Sequence, residues 1–193
     1  MALQASRLRF PPAHWQRQAR LAVASAGVLA YPTESCFGLG CDPRQRPALQ
    51  KVLALKRRPK AKGMLLIASD LAQILPFIQP PSADDLARFA QWWPGPFTLL
   101  LPASRRVVPL LRGRHRKIAV RITDHPPAAG LCHFLGMPLV STSANLSGRV
   151  ALKRAADCRR VFGRRVLTLP GMIGLARKPS SIIDYPSGRI LRG

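Results

Sequence analysis

The segment "PLVSTSANLSG" (residues 138–148) runs an apolar stretch directly into a row of small hydroxyl and amide side chains. The apolar beginning is typical of a buried strand. Polar residues of this kind either cap the turn after a strand or bind an anion there. The residues alone leave both possibilities open.

Strand-like apolar runs recur along the rest of the chain. Pro32 ends the first of them, and the glycine-punctuated "PTESCFGLGCDP" (32–43) that follows is predicted to be a loop. The predicted strands are VLAY (28–31), MLLIA (64–68), FTLLL (97–101), IAVRI (118–122) and VLTL (166–169), with two short strands joined by a turn in SIIDYPSGRILRG (181–193).

Helical stretches separate these strands. Apolar residues at helical spacing predict one helix that ends before Gly27 and another that ends before Pro59. Ser69 is expected to cap a third helix, and Ser82 with Asp85 forms a capping-box pattern for a fourth. Two more are predicted, after Pro127 and in KRAADCRRVFG (153–163).

Alternating strands and helices indicate the α/β fold class. No linker, repeat or low-complexity tract divides the sequence, so we expect a single domain over residues 1–193. A chain of this length can bury about 70% of its unfolded surface, and it therefore needs no disulfide to be stable.

The charge balance is the most unusual property of the composition. The chain has 31 lysine and arginine residues against 8 aspartate and glutamate residues, a formal net charge of +23. Such a surface attracts polyanions, with nucleic acids and phosphorylated small molecules as the natural candidates. The same charge also serves solubility, and composition does not separate the two explanations.

Several classes of site are not indicated. The four cysteines form no CxxC pair, and no histidine stands at metal-ligand spacing, so neither a metal site nor a disulfide framework is expected. Glu34 is the only glutamate and cannot form a catalytic carboxylate pair by itself. Neither a Walker A nor a complete dinucleotide-binding motif occurs. The absence of a long apolar run predicts a cytoplasmic protein that does not enter a membrane.

Strand-end loops that are rich in hydroxyls, backbone amides and fixed cations remain. Such groups bind carboxylates and phosphates without a titrating side chain. The basic segment "KRRPKAK" (56–62) fits this description, although a solvated surface loop would have the same composition.

Taken in order, six segments resemble the YrdC/TsaC family of L-threonylcarbamoyladenylate synthases, in its short single-domain bacterial form. They are YPTESCFGLGCDP, LKRRPKAKGMLLIA, WPGPFTLLLP, IAVRITDHP, PLVSTSANLSG and KPSSIID.

The resemblance implies a twisted, open, mixed parallel and antiparallel sheet flanked by helices, with a positively charged concave surface. It also implies an enzyme that converts L-threonine, bicarbonate or CO2 and ATP into threonylcarbamoyl-AMP and pyrophosphate, with Mg²⁺ bound to the ATP. The product would serve N6-threonylcarbamoyladenosine modification at position 37 of tRNAs that read ANN codons. A separate transfer complex would carry the group to tRNA.

The resemblance also assigns roles to individual residues. The catalytic and nucleotide-binding set implied by the Lys-x-Arg and Ser-x-Asn signatures is Lys56, Arg58, Ser143 and Asn145, with Thr98 added for ATP. The implied L-threonine set is Thr33, Lys62, Arg121, Ser141 and Ser181. These roles imply that the alternate residues Ser141, Ser143 and Asn145 line one side of an extended segment and that Thr142 and Ala144 point away. Because Lys56 and Arg58 are predicted to lie in an exposed loop, replacing either is expected to remove turnover without disturbing the fold.

The alternative is a non-catalytic basic protein that binds tRNA, double-stranded RNA or the ribosome. The net charge favours it, and it would bind through phosphate contacts with steep salt dependence.

Overall fold

The computed structural model describes residues 13–192. Nine strands in this range form one sheet in the order β7-β1-β2-β6-β3-β5-β4-β8-β9. The strands are β1 (Leu29–Pro32), β2 (Phe37–Gly40), β3 (Leu65–Ala68), β4 (Phe97–Pro102), β5 (Lys117–Ile122), β6 (Leu139–Ser143), β7 (Leu167–Thr168), β8 (Ser181–Asp184) and β9 (Arg189–Arg192). The α-helices are α1 (Ala13–Ala24), α2 (Arg46–Lys56), α3 (Leu71–Ile74), α4 (Ala83–Phe89), α5 (Pro109–Arg112), α6 (Pro126–Leu135) and α7 (Ala155–Phe162).

The sheet is mixed, which confirms the expected fold class. β1 pairs with β7, β3 with β5, and β4 with β8 in parallel, while the other neighbouring strands pair in antiparallel. None of the helices in residues 13–192 has both the length and the apolar composition needed to cross a lipid bilayer.

Helices cover the two faces of the sheet unequally. On one face, alternate strand residues such as Leu66, Val120 and Val140 belong to a large core that includes residues of α2, α4 and α7. On the other face, Leu29 and Leu139 pack in a smaller core with residues of α1 and α6. The smaller core leaves the central part of its face open, and this opening positions the site described below.

Strand β2 corrects the sequence prediction, which placed residues 32–43 in a loop. Gly38 and Gly40 lie inside a buried strand rather than in a turn, and neither requires a positive φ. A Cβ at Gly40 would lie 2.5 Å from the Val140 carbonyl oxygen and 2.6 Å from Tyr31 Cε1. The glycines are therefore needed for the close approach of β1, β2 and β6.

The helix ends follow the predicted signals with one exception. Ser82 and Asp85 form the expected capping box at the start of α4. Helix α3, however, is capped by Asp70, whose carboxylate accepts the Gln73 N–H, and not by Ser69. The Ser69 hydroxyl donates to the Asp70 carboxylate instead, which supports the cap from outside.

Candidate active site

A cleft of about 940 Å³ opens on the less covered face of the sheet. Every second residue of five neighbouring strands contributes to its floor, as expected because side chains alternate between the two faces of a sheet. These residues include Leu65 and Ile67 of β3, Thr98 and Leu100 of β4, Lys117, Ala119 and Arg121 of β5, Ser141 and Ser143 of β6, and Ile182 and Asp184 of β8.

The cleft is strongly cationic. Among the described residues, ten lysine and arginine side chains line it against two carboxylates, Glu34 and Asp184. The basic residues are Arg58, Lys62, Arg112, Arg114, Arg116, Lys117, Arg121, Lys153, Arg177 and Arg192. Walls of one charge sign concentrate anions, so the cleft is suited to phosphates and carboxylates.

Both carboxylates already have a cationic partner. Lys117 Nζ lies 2.6 Å from Asp184 Oδ1, and its hydrogen bond holds the pKa of Asp184 below the ordinary value. Arg121 Nη2 lies 2.6 Å from Glu34 Oε1, an oxygen that also accepts the Thr123 hydroxyl. The pairings leave a large net positive charge in the cleft.

Arg121 is held firmly at the base of the cleft. It is 5% exposed, and its Nε donates to the Gly95 carbonyl over 2.9 Å. Burial lowers the pKa of Arg121, and the nearby Glu34 carboxylate opposes this effect. A guanidinium fixed in this way can bind a carboxylate through its remaining N–H groups.

Two more of the residues implied for threonine lie beside each other in the cleft. Thr33 and Ser141 are both buried and both line it. The backbone of Gly38 separates them, since a Cβ there would lie 3.2 Å from Thr33 Cγ2 and 3.3 Å from Ser141 Oγ. The Thr33 hydroxyl donates to the Cys36 carbonyl over 2.7 Å, which fixes its orientation.

Lys56 does not lie in an exposed loop, and that prediction is wrong. It is the last residue of α2, and it is 2% exposed because its stem enters the core. Its ammonium donates to the Ser143 carbonyl, to the Asn145 carbonyl over 3.0 Å and to Asn145 Oδ1 over 2.8 Å. Burial lowers the pKa of Lys56 to about 8, and the neighbouring Arg58 acts in the same direction.

These bonds make Lys56 a tie between the end of α2 and the end of β6. Asn145 Oδ1 also accepts the Ser143 hydroxyl over 2.7 Å. Lys56 and Asn145 are not among the cleft-lining residues of the described chain, whereas Ser143 is. The Lys-x-Arg and Ser-x-Asn signatures therefore meet in space, but only one member of each reaches the cleft.

Arg58 is the member of the Lys-x-Arg signature that reaches it. Helix α2 ends with Arg57 in the left-handed region at φ 51°, and this turn directs the chain away from the core. Arg58 Nε and Nη2 then both donate to the Gly63 carbonyl, over 3.1 and 2.9 Å, while the side chain lines the cleft with Lys62. Within the basic segment 56–62, Lys56 is therefore buried, whereas Arg58 and Lys62 line the cleft.

Thr98 and the "KPSS" segment form the opposite wall. Thr98 lines the cleft, and its hydroxyl lies 2.8 Å from that of Ser180, which also lines it. Ser181 is not among the lining residues, and its N–H donates to the Pro96 carbonyl beside the pairing of β8 with β4. The structure therefore places Ser180, rather than the neighbouring serine implied by the resemblance, on the cleft.

Sequence reasoning also missed part of the cationic wall. Arg114 and Arg116 stand in a basic stretch that had no assigned role, and Arg177 and Arg192 lie near the C-terminus. Arg192 Nη2 donates to the Ser180 carbonyl over 2.8 Å and so supports the Thr98 wall. In the sequence these residues are marked only by their charge, and charge alone does not predict which basic residues come together at the cleft.

The expected alternation along β6 holds only in part. Ser141 and Ser143 line the cleft and Ala144 is fully buried, but Thr142 also contributes to the lining. No group of three histidine, cysteine, aspartate or glutamate side chains within residues 13–192 could hold a metal ion.

The model of the Sua5/YciO/YrdC family, described as "Telomere recombination", matches residues 22–193. The chain belongs to this family. Two similar relatives are each named threonylcarbamoyl-AMP synthase. The protein from Chromobacterium violaceum is 56% identical over 95% of both chains. That from Laribacter hongkongensis is 54% identical over 94% of this chain and 97% of its own.

Solved structures of the family share the fold. P. abyssi Sua5 in complex with L-threonine superposes with a TM-score of 0.78 at 25% identity, over 89% of this chain. The match covers 52% of that protein, so the chain spans about half of its length. E. coli YciO superposes on 94% of this chain with a TM-score of 0.81 at 24% identity. This similarity supports only the fold.

Proposed function

We propose that this member of the Sua5/YciO/YrdC family catalyses the formation of threonylcarbamoyl-AMP and pyrophosphate from L-threonine, bicarbonate or CO2, and ATP. The single observation that carries the proposal is the cleft, in which ten cations surround two carboxylates that are already paired. The relatives named threonylcarbamoyl-AMP synthase support the same activity.

The amino acid is proposed to bind at the Arg121 end. The guanidinium of Arg121 is anchored by Gly95 and can bind the threonine carboxylate, while the Thr33 and Ser141 hydroxyls lie close by. Lys62 lies on the same cleft. Ser180 replaces Ser181 in this proposal, because Ser180 lines the cleft and Ser181 does not.

The nucleotide is proposed to bind near Arg58, Ser143 and Thr98. The reacting groups are a carbamate oxygen and the α-phosphorus of ATP, and both partners are anionic. Fixed cations can hold them in line and neutralise the charge that builds up, so positioning and electrostatics supply most of the catalysis. The paired Glu34 and Asp184 leave no free carboxylate pair for a metal, which fits Mg²⁺ that arrives bound to ATP.

Lys56 and Asn145 are proposed to act through position. Neither lines the cleft, but together they fix the carbonyl and hydroxyl of Ser143. Loss of the Lys56 ammonium would free the end of β6 and displace the Ser143 hydroxyl from the nucleotide.

The cellular role follows from the activity. The product is proposed to serve threonylcarbamoyladenosine formation in tRNA in the cytoplasm, with a separate complex that transfers the group. The alternative of a non-catalytic RNA-binding protein has the net charge in its favour. It does not account for the buried Arg121 and hydroxyl groups at the base of the cleft.

The test is pyrophosphate release by the purified chain with ATP, Mg²⁺, bicarbonate and L-threonine. Release should depend on threonine and should fall to background in Arg58→Met. L-Serine and L-valine, which each keep part of the threonine side chain, serve as substrate controls. Pyrophosphate release that is the same with and without threonine would refute the proposal.

A further inference from the structure

Glu34 is the only glutamate of the chain, and it stands inside a cleft that otherwise selects for anions. It lies in the turn between β1 and β2, and its side chain is 13% exposed. A carboxylate in this position weakens the attraction of the cleft for ATP. Its presence at the amino-acid end therefore calls for a local function.

The backbone at Glu34 is clamped. The Ala176 N–H donates to the Glu34 carbonyl over 3.1 Å, and the Gly174 N–H donates to the adjacent Thr33 carbonyl over 2.9 Å. A Cβ on Gly174 would lie 2.8 Å from the Glu34 carbonyl oxygen, so the covering segment is in close contact. The carboxylate is thus held at a fixed place beside Arg121.

Only one of its two oxygens is engaged. Arg121 Nη2 and the Thr123 hydroxyl both approach Oε1, whereas Oε2 has no protein donor among residues 13–192. Among residues 13–192, Arg121 donates only through Nε, to Gly95. Its buried Nη2 lies 2.6 Å from Glu34 Oε1 without a hydrogen-bond partner, and Nη1 has no acceptor either. A free anionic acceptor and a guanidinium with free N–H groups therefore stand next to each other.

An α-amino acid has the complementary arrangement, because a single carbon separates its carboxylate from its amine. Two protein groups that bind them must be neighbours of opposite charge, and the 2.6 Å between Arg121 Nη2 and Glu34 Oε1 satisfies this. We propose that Glu34 Oε2 accepts a hydrogen bond from the α-amino group of the substrate whose carboxylate lies on Arg121. The inference rests on the proposed function and makes Glu34 a specificity determinant for amino acids over simple hydroxy acids.

The experiment compares two ligands by isothermal titration calorimetry. L-Threonine carries the amine, and (R)-3-hydroxybutyrate is the same molecule without it. Wild-type protein should bind threonine more tightly, and Glu34→Gln should lower this preference by roughly 10- to 100-fold, the range of a hydrogen bond to a charged group. Glu34→Asp keeps the charge and should recover part of the preference.

Asp184→Asn is the matched control. It removes the other carboxylate of the cleft, which is paired with Lys117, and so makes the same change in net charge. Because threonine is a zwitterion and 3-hydroxybutyrate is an anion, a general charge effect would lower the preference for threonine about equally in the two variants. The proposed contact predicts a further fall of about 10-fold in Glu34→Gln relative to Asp184→Asn. Equal falls in the two variants would refute it.

The outcomes separate this inference from the proposed function. If wild-type protein binds threonine but Glu34→Gln keeps the full preference, the amine contact is refuted and the synthase proposal stands. Wild-type protein that neither binds threonine nor releases pyrophosphate with it refutes both. If Glu34→Gln does not fold, the wild-type comparison decides, since a preference for threonine below about threefold would overturn the inference by itself.

Discussion

Replacing Lys56 by methionine should destabilise the whole domain, although the sequence placed this residue in an exposed loop. Methionine keeps most of the apolar stem and removes only the ammonium. That group donates to three oxygens, which are the carbonyls of Ser143 and Asn145 and the side-chain oxygen of Asn145. The variant therefore isolates the tie between α2 and the end of β6.

The magnitude follows from the environment of these acceptors. An acceptor that loses its partner in a fully buried site costs about 1–3 kcal/mol. Ser143 is exposed and Asn145 is partly buried, so water can replace part of what is lost. We expect a net loss of about 2–4 kcal/mol in the free energy of unfolding. For a domain of this size the melting temperature should fall by roughly 5–15 °C.

Arg58→Met is the matched control, two residues along the same segment. Arg58 donates twice to a single carbonyl and is half-buried, so its loss should cost at most about 1 kcal/mol and lower the melting temperature by less than about 4 °C. Both variants should lose threonine-dependent pyrophosphate release, as measured beside thermal unfolding by circular dichroism. A Lys56→Met protein that melts within about 2 °C of wild type would refute the structural tie.

Three further predictions follow from local geometry. The stability advantage of wild type over Lys56→Met should increase as the pH rises from about 8 to 10.5. In this range the lowered pKa leaves the folded chain with fewer protons on Lys56 than the unfolded chain, so a higher pH favours folding. Denaturant titrations of both proteins across this range would measure the difference in the free energy of unfolding. Gly40→Ala should prevent soluble folding, since its Cβ would lie 2.5 Å from a carbonyl oxygen of β6. Gly136→Ala is the control, because Gly136 has φ 66° but no atom within 4 Å of a Cβ. This variant should lose only about 1–2 kcal/mol in the free energy of unfolding, as measured by thermal unfolding. Ser82→Ala should lose about 1 kcal/mol with its cap, and Asp84→Ala, in the same turn but outside the capping box, should lose less than half of that in the same assay.

The parts of the fold that were predicted are those with local causes. Apolar runs and proline or glycine boundaries suffice to place β3, β4, β5 and α6, because each signal acts within a few residues. Strand β2 was missed for a different reason. Its glycines resemble turn residues, and the need for them comes from Tyr31 and Val140, which only the folded sheet brings against Gly40.

The site shows the same limit. The resemblance selected Arg58, Arg121 and Ser141, and the structure places all three on one cleft. It also selected Ser181, whereas the structure places Ser180 on the cleft, because the pairing of β8 with β4 decides which of the two serines faces it. Charge composition likewise gave the sign of the cleft but not the residues that converge on it.

The end of β6 combines both kinds of information. Its small polar residues are local signals of a turn or an anion site, and in the structure this segment is held by hydrogen bonds and also lines the cationic cleft. Ser143 lines the cleft, while its carbonyl and hydroxyl are held by Lys56 and Asn145. Turn capping is therefore compatible with the proposed binding of the nucleotide, because a hydroxyl can meet a phosphate repeatedly at the same place only if its backbone is fixed. The buried cation at the end of α2 supplies that constraint, at a position which in sequence looks like the first residue of a solvent-exposed basic loop.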